Sequence, residues 1–210
     1  TNAGLIDASS GASSRAAVRL NNGGTITNSG TINGTGWGVL FNSAATPVVL
    51  DNQAGGTITG TNLNAVYIGS GSGASVLNAG TLIGGNAAIY GDGTNASITN
   101  YGLIRITGGA HNSVIRGIYL AAAGADSTNS GTIEGTLASG RGIYLAGANG
   151  TITNQSGGTI SGGASGMAIL LTGAGYTLDL RSGSTVTGLI NAGPSTGTNT
   201  VMLAGTLNGD

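Results

Sequence analysis

The sequence predicts an all-β solenoid, a single-stranded parallel β-helix of about eight coils, and three observations predict it. The first is a repeat. Residues 25–40, TITNSGTINGTGWGVL, return in altered spelling as VVLDNQAGGTITG (48–60), SVLNAGTLIG (75–84), SITNYGLI (97–104), STNSGTIEG (127–135), TITNQSGGTISG (151–162) and YTLDLRSGSTVTG (176–188). NAGLID (2–7) is a partial copy. One apolar residue marks each copy: Ile6, Ile32, Ile58, Leu82, Ile104, Ile133, Ile160 and Val186, spaced 26, 26, 24, 22, 29, 27 and 26 residues apart. Short strand-like pieces and glycine turns at such a period make a coil that buries its apolar side only by stacking on its neighbours.

The second observation is a later strand in each coil: AVRL (17–20), GVLF (38–41), AVYI (65–68), AIY (88–90), GIYL (117–120), GIYL (142–145) and AILL (168–171). Side chains alternate between the two faces of a strand. Val18, Val39, Val66, Ile89, Ile118, Ile143 and Ile169 therefore form an inward column, and Arg19, Leu40, Tyr67, Tyr90, Tyr119, Tyr144 and Leu170 face outward. The third observation is a column of Asn2, Asn28, Asn52, Asn78, Asn100, Asn129 and Asn154, broken at Leu180. Asn accepts left-handed turn geometry, and identical Asn side chains stack into ladders. At about 4.8 Å per coil the rod is near 40 Å long.

Composition narrows the rest. Glycine is 43 of 210 residues, yet 39% of residues are hydrophobic, 6% are charged and the mean hydropathy is +0.22, so the chain is not the polar, highly charged kind that stays disordered. Six Arg, no Lys and seven acids give a net charge of -1, which argues against nucleic acid and anionic membrane surfaces as partners. The absence of Cys excludes disulfides and thiolate metal sites. No apolar run spans a bilayer and no signal-peptide pattern opens the chain; a start at TNAGLID, inside a coil, fits an excised piece.

Taken in order, residues 1–24 hold one weak coil without an obvious cap. Residues 25–96 hold three regular coils, with Phe41 inward and Trp37 near a corner. Residues 97–150 include the charged residues Arg105, Arg116, Asp126, Glu134 and Arg141. Arg105 and Glu134 occupy equivalent positions and are expected to pair across rungs, for about 0 to 1 kcal/mol. Arg116 and Arg141 also share a position, read as two solvated, splayed side chains or as an anion or glycan contact. His111 stands alone in GGAHNS. After Val186 the text becomes GLINAGPSTGTNTVMLAGT, with Pro194 in a turn and a last strand at 201–203. Coils at 1–187 and a last coil at 188–210 read as one continuous domain.

This pattern resembles the passenger domain of bacterial autotransporters over nearly the whole chain. YTLDLRSGSTVTGLINAGPSTGTNTVMLAG (176–205) is similar to the coils that in many passengers lead toward the membrane anchor. The resemblance implies a right-handed helix, export to the bacterial surface through a C-terminal β-barrel translocator, and work in adhesion, self-association and biofilm formation. Its partner would be another copy on a neighbouring cell, or a host surface protein or glycan. Such coils share no catalytic motif, so no site residue carries over.

Enzyme chemistry finds little support. Glycoside hydrolysis needs two carboxyl groups about 5 to 10 Å apart, but Asp7, Asp51, Asp92, Asp126, Glu134, Asp179 and Asp210 are spread over different coils, and no two share a face on adjacent rungs. No calcium nonapeptide series, phosphate loop, zinc motif or nucleophile elbow is present, and no cofactor or metal is expected. The candidate surfaces are an outward row of Tyr67, Tyr90, Tyr119 and Tyr144, the corner residues Arg116 and Arg141, and a ladder of Thr31, Thr57, Thr81, Thr132, Thr159 and Thr185 interrupted by Leu5 and Leu103. Either row also has a purely structural reading, as stacked rings or cross-rung hydroxyl contacts. A mixed second column (Asp7, Asn33, Thr59, Ile83, Arg105, Glu134, Ser161, Thr187) makes the Thr face a poor match to ice. Three functions remain at this point: a laterally associating adhesin, a passive stalk for a separate head, and a polysaccharide-active enzyme.

Overall fold

The computed structural model describes residues 1–10, 15–42, 48–108, 115–164, 166–193 and 197–209; His111, Pro194 and Asp210 lie outside them. Among the described residues the chain forms strands and turns without a helix. The strands build three parallel sheets of nine, eight and eight members. Each strand pairs with the one three places further along the chain, so every coil gives one strand to each sheet. The fold is the expected β-solenoid, and the coil number agrees roughly with about eight.

The first sheet, here the Thr sheet, runs from Leu5–Ala8 to Thr206–Asn208. The marker residues Ile6, Ile32, Ile58, Leu82, Ile104, Ile133, Ile160 and Val186 are in register along it. From Ile32 onward all of them are buried. The Tyr sheet runs from Ala16–Leu20 to Leu189–Asn191 and aligns the inward column from Val18 through Ile169. The Asn sheet runs from Gly24–Asn28 to Thr200–Leu203. Its core column is Ile26, Leu50, Val76, Ile98, Ser127, Ile152 and Leu178. Three apolar columns, one per sheet, thus meet along the axis and supply the hydrophobic driving force that no single coil possesses.

Ser127 departs from that pattern. It is buried at an Ile position, between Ile98 and Ile152, and its hydroxyl has no hydrogen-bond partner among the described residues. Ser127→Val is expected to stabilise the fold by about 1 to 2 kcal/mol, since it removes an unsatisfied hydroxyl and adds apolar contact. Chemical denaturation of the two proteins checks this; an unchanged or lowered midpoint would mean that the hydroxyl is satisfied.

The Asn column forms the expected ladder, but not through turn geometry. Asn28, Asn52, Asn78, Asn100, Asn129 and Asn154 end their strands, fully buried. From Asn2 to Asn154 each Nδ2 donates to the next Oδ1 at 2.8 Å. Among the described residues the non-glycine residues with positive φ are Asn95 (φ 53) and Asn149 (φ 58), which belong to another corner. The ladder residues are inward-facing strand ends, held by amide hydrogen bonds rather than by tolerance of the left-handed region.

Alternation also fails at one place in the six middle strands of the Tyr sheet, from Trp37–Phe41 to Met167–Leu171. Gly38, Ala65, Ala88, Gly117, Gly142 and Ala168 are buried, although each directly precedes an inward residue. The pairing register skips these positions. A Cβ on Gly117 would meet Ile133 Cγ2 at 2.9 Å, on the core side. Two successive residues therefore turn inward at this corner, and the residue before them turns outward, onto the same side as the tyrosines.

Candidate functional site

Tyr67, Tyr90, Tyr119 and Tyr144 pair in register in four consecutive strands, Asn64–Ile68, Ala87–Gly91, Arg116–Leu120 and Arg141–Leu145. Their ring centroids are 5.4, 4.8 and 4.9 Å apart, close to the strand spacing that sets the row. Trp37, ambiguous in the sequence, extends the row: its ring meets Tyr67 edge-on at 6.2 Å and its Nε1 donates to Asn64 Oδ1 at 3.2 Å. Leu40 and Leu170 continue the column at either end. They are only 6% and 8% exposed despite their outward position in the register.

The rings do not lie flat to solvent. Tyr67 and Tyr90 stack with 13° between their planes, and the next two pairs are tilted by 56° and 48°. The first pair thus lies face to face, while the tilted pairs meet at an angle and the Tyr119 face is covered by Arg116. Tyr67 donates from its hydroxyl to Asp92 Oδ2 at 2.8 Å, and Thr172 donates to the Tyr144 oxygen at 3.3 Å. Burial, together with the hydrogen bond and charge of Asp92, pushes the Tyr67 hydroxyl up to about 12. Burial also raises Tyr90 and Tyr119, in the latter case against the opposing effect of Arg116. These phenols are O–H donors at neutral pH.

Arg116 and Arg141 pair in register, as their shared position implied. The reading of two splayed, solvated side chains is corrected. The Arg116 guanidinium lies 4.2 Å over the Tyr119 ring and 5.0 Å from that of Tyr144, and Arg141 lies 5.4 Å from Tyr144. The inward turn at Gly117 and Gly142 is the cause, since it sends residues 116 and 141 to the tyrosine side. Burial is the main influence holding the Arg116 guanidinium below its ordinary value, with the Arg141 charge acting the same way.

The Thr ladder is continuous in register where expected. Leu5, Thr31, Thr57, Thr81, Leu103, Thr132, Thr159 and Thr185 follow one another, and Thr206 extends the column. Among the described residues the threonine side chains that make hydrogen bonds are Thr35, Thr136 and Thr172, none of them in this column. Beside it Arg105 meets Glu134 at 3.6 Å across one rung, as expected. The structure therefore keeps two separate candidate faces, and the Arg residues belong with the tyrosines. Among the described residues no group of three or more His, Asp or Glu side chains is arranged to hold a metal ion. Compared with known protein families, curated proteins and solved structures, the chain has no match.

Proposed function

We propose that this chain is a bacterial cell-surface adhesin segment that binds through the side of its solenoid, along the Tyr67–Tyr144 row. One observation carries the reading: two guanidiniums, set one rung apart on a stacked aromatic row, have no carboxylate partner among the described residues, where the ion pairs are Arg105–Glu134 and Arg181–Asp179. A row built only to stabilise the sheet has no need of adjacent like charges. The similarity of residues 176–205 to autotransporter passengers supports surface display, with adhesion, self-association and biofilm formation as the cellular outcome. Single contacts of this size are weak, and many copies on two surfaces bind through multivalency.

A passive stalk is the competing reading, and the ring-on-ring stacking favours it, since the faces are already in use. The two separate in the double variant Tyr119→Thr/Tyr144→Thr, which keeps β-propensity but removes the rings. With the chain displayed on cells and its circular dichroism unchanged, adhesion and aggregation are expected to fall by about tenfold or more. Unchanged adhesion would make the row structural and move attention to the Thr ladder.

A further inference from the structure

We infer that Arg116 and Arg141, seated on Tyr119 and Tyr144, form a carboxylate-binding site for an extended acidic polysaccharide, a uronate chain lying along the tyrosine row. This rests on the lateral-binding reading and names its ligand class. The outward groups at this end of the row are two guanidiniums and phenol O–H groups, a set dominated by donors. Arg116 Nε is buried and has no hydrogen-bond partner among the described residues. The Tyr119 ring, 4.2 Å from the Arg116 guanidinium, limits the freedom of its fork, which favours bidentate contact with a carboxylate. Two like charges on adjacent rungs repel each other, and a bound anion relieves that repulsion.

The arrangement also selects among anionic ligands. Two cations at rung spacing match a polymer whose carboxylates recur along a straight chain. A second copy of this protein is a poorer fit, because its acids sit singly on different coils and Asp92 is already engaged by Tyr67. Toward the other end of the row the Tyr67 and Tyr90 hydroxyl oxygens accept from sugar hydroxyls, and the four tyrosine rungs span about 15 Å, enough for a short run of sugar units.

The test titrates the purified chain with oligogalacturonate, a neutral oligosaccharide of equal length, and polyglutamate. Trp37, the single tryptophan, reports from the end of the row and calorimetry gives the affinity. Binding of oligogalacturonate that weakens with salt, with the neutral sugar inert, is expected. Arg116→Gln/Arg141→Gln should weaken it by about tenfold or more. Arg116→Lys, which keeps the charge but loses the planar fork, should weaken it less, with melting and circular dichroism preserved in both variants. No binding by the wild type, equal binding of the neutral sugar, indifference to the Arg changes, or binding of polyglutamate alone would each overturn the proposal. If oligogalacturonate fails while Tyr119→Thr/Tyr144→Thr still abolishes adhesion, the lateral reading stands and only the ligand class falls.

Discussion

Asn100→Leu is expected to cost about 4 to 6 kcal/mol, while the same change at Asn154 costs about 2 to 4 kcal/mol. The difference follows from the direction of the ladder. Asn100 accepts from Asn78 and donates to Asn129 Oδ1 at 2.8 Å, to Gly102 O at 3.1 Å and to Thr132 O at 3.2 Å. Removing its amide leaves the Asn129 oxygen buried without its donor, on top of the bonds lost. Asn154 accepts from Asn129 and donates only to the carbonyls of Gly158 and Thr185. Its ladder neighbour is the buried Leu180, so no side-chain acceptor beyond it is orphaned. Chemical denaturation, with hydrogen exchange to locate the damage, measures both changes, because a solenoid loses stability coil by coil. Equal costs would show that the amides act independently and that the ladder has no directional element.

The columns were legible in the sequence because burial imposes them. Ile6 through Val186 and Val18 through Ile169 had to recur, since each coil needs the same inward positions, and their register follows. Arg105 and Glu134 could be paired from equivalent positions alone. The Arg116 seat could not, for a physical reason: strict alternation puts residue 116 on the parity of Ile118, and only the extra inward residue at Gly117 reverses it. The signal was present in the unbroken series of small residues Gly38, Ala65, Ala88, Gly117, Gly142 and Ala168, which marks a second inward position at a tight corner. The orientation of the tyrosine rings was beyond reach, because a repeating Tyr fixes where Cβ points but not how neighbouring rings turn against one another. The Asn column was placed correctly for a partly wrong reason, as the left-handed corner belongs to Asn95 and Asn149.

Gly84→Ala is expected to destabilise the fold by about 3 kcal/mol or more, a large effect for one added methyl group. Gly34, Gly60 and Gly84 pair in register at the end of Thr-sheet strands, where the chain turns at once into the Tyr sheet. A Cβ on Gly84 would lie 1.9 Å from the carbonyl oxygen of Ala87 and 2.3 Å from its carbon, and the same clash recurs at Gly34 with Trp37 and at Gly60 with Asn64. The obstacle is backbone, so no rotamer change relieves it and the corner itself must open. Ile106 shows what sets the constraint. It pairs with Gly84 and is fully buried, yet nine residues (107–115) separate it from the next strand, where only Gly85 and Asn86 follow Gly84. The restriction comes from the short corner and not from the column. Gly4→Ala, where nothing lies within 4 Å of the added carbon, should stay within about 0.5 kcal/mol of neutral and serves as the control. Opening the corner at Gly84 also shifts Ala87–Gly91, the strand that carries Tyr90 between Tyr67 and Tyr119. The near-ultraviolet dichroism of the stacked tyrosines should therefore weaken along with the stability. A variant that loses stability but keeps that signal would mean that the corner yields on its Thr-sheet side, leaving the tyrosine row intact.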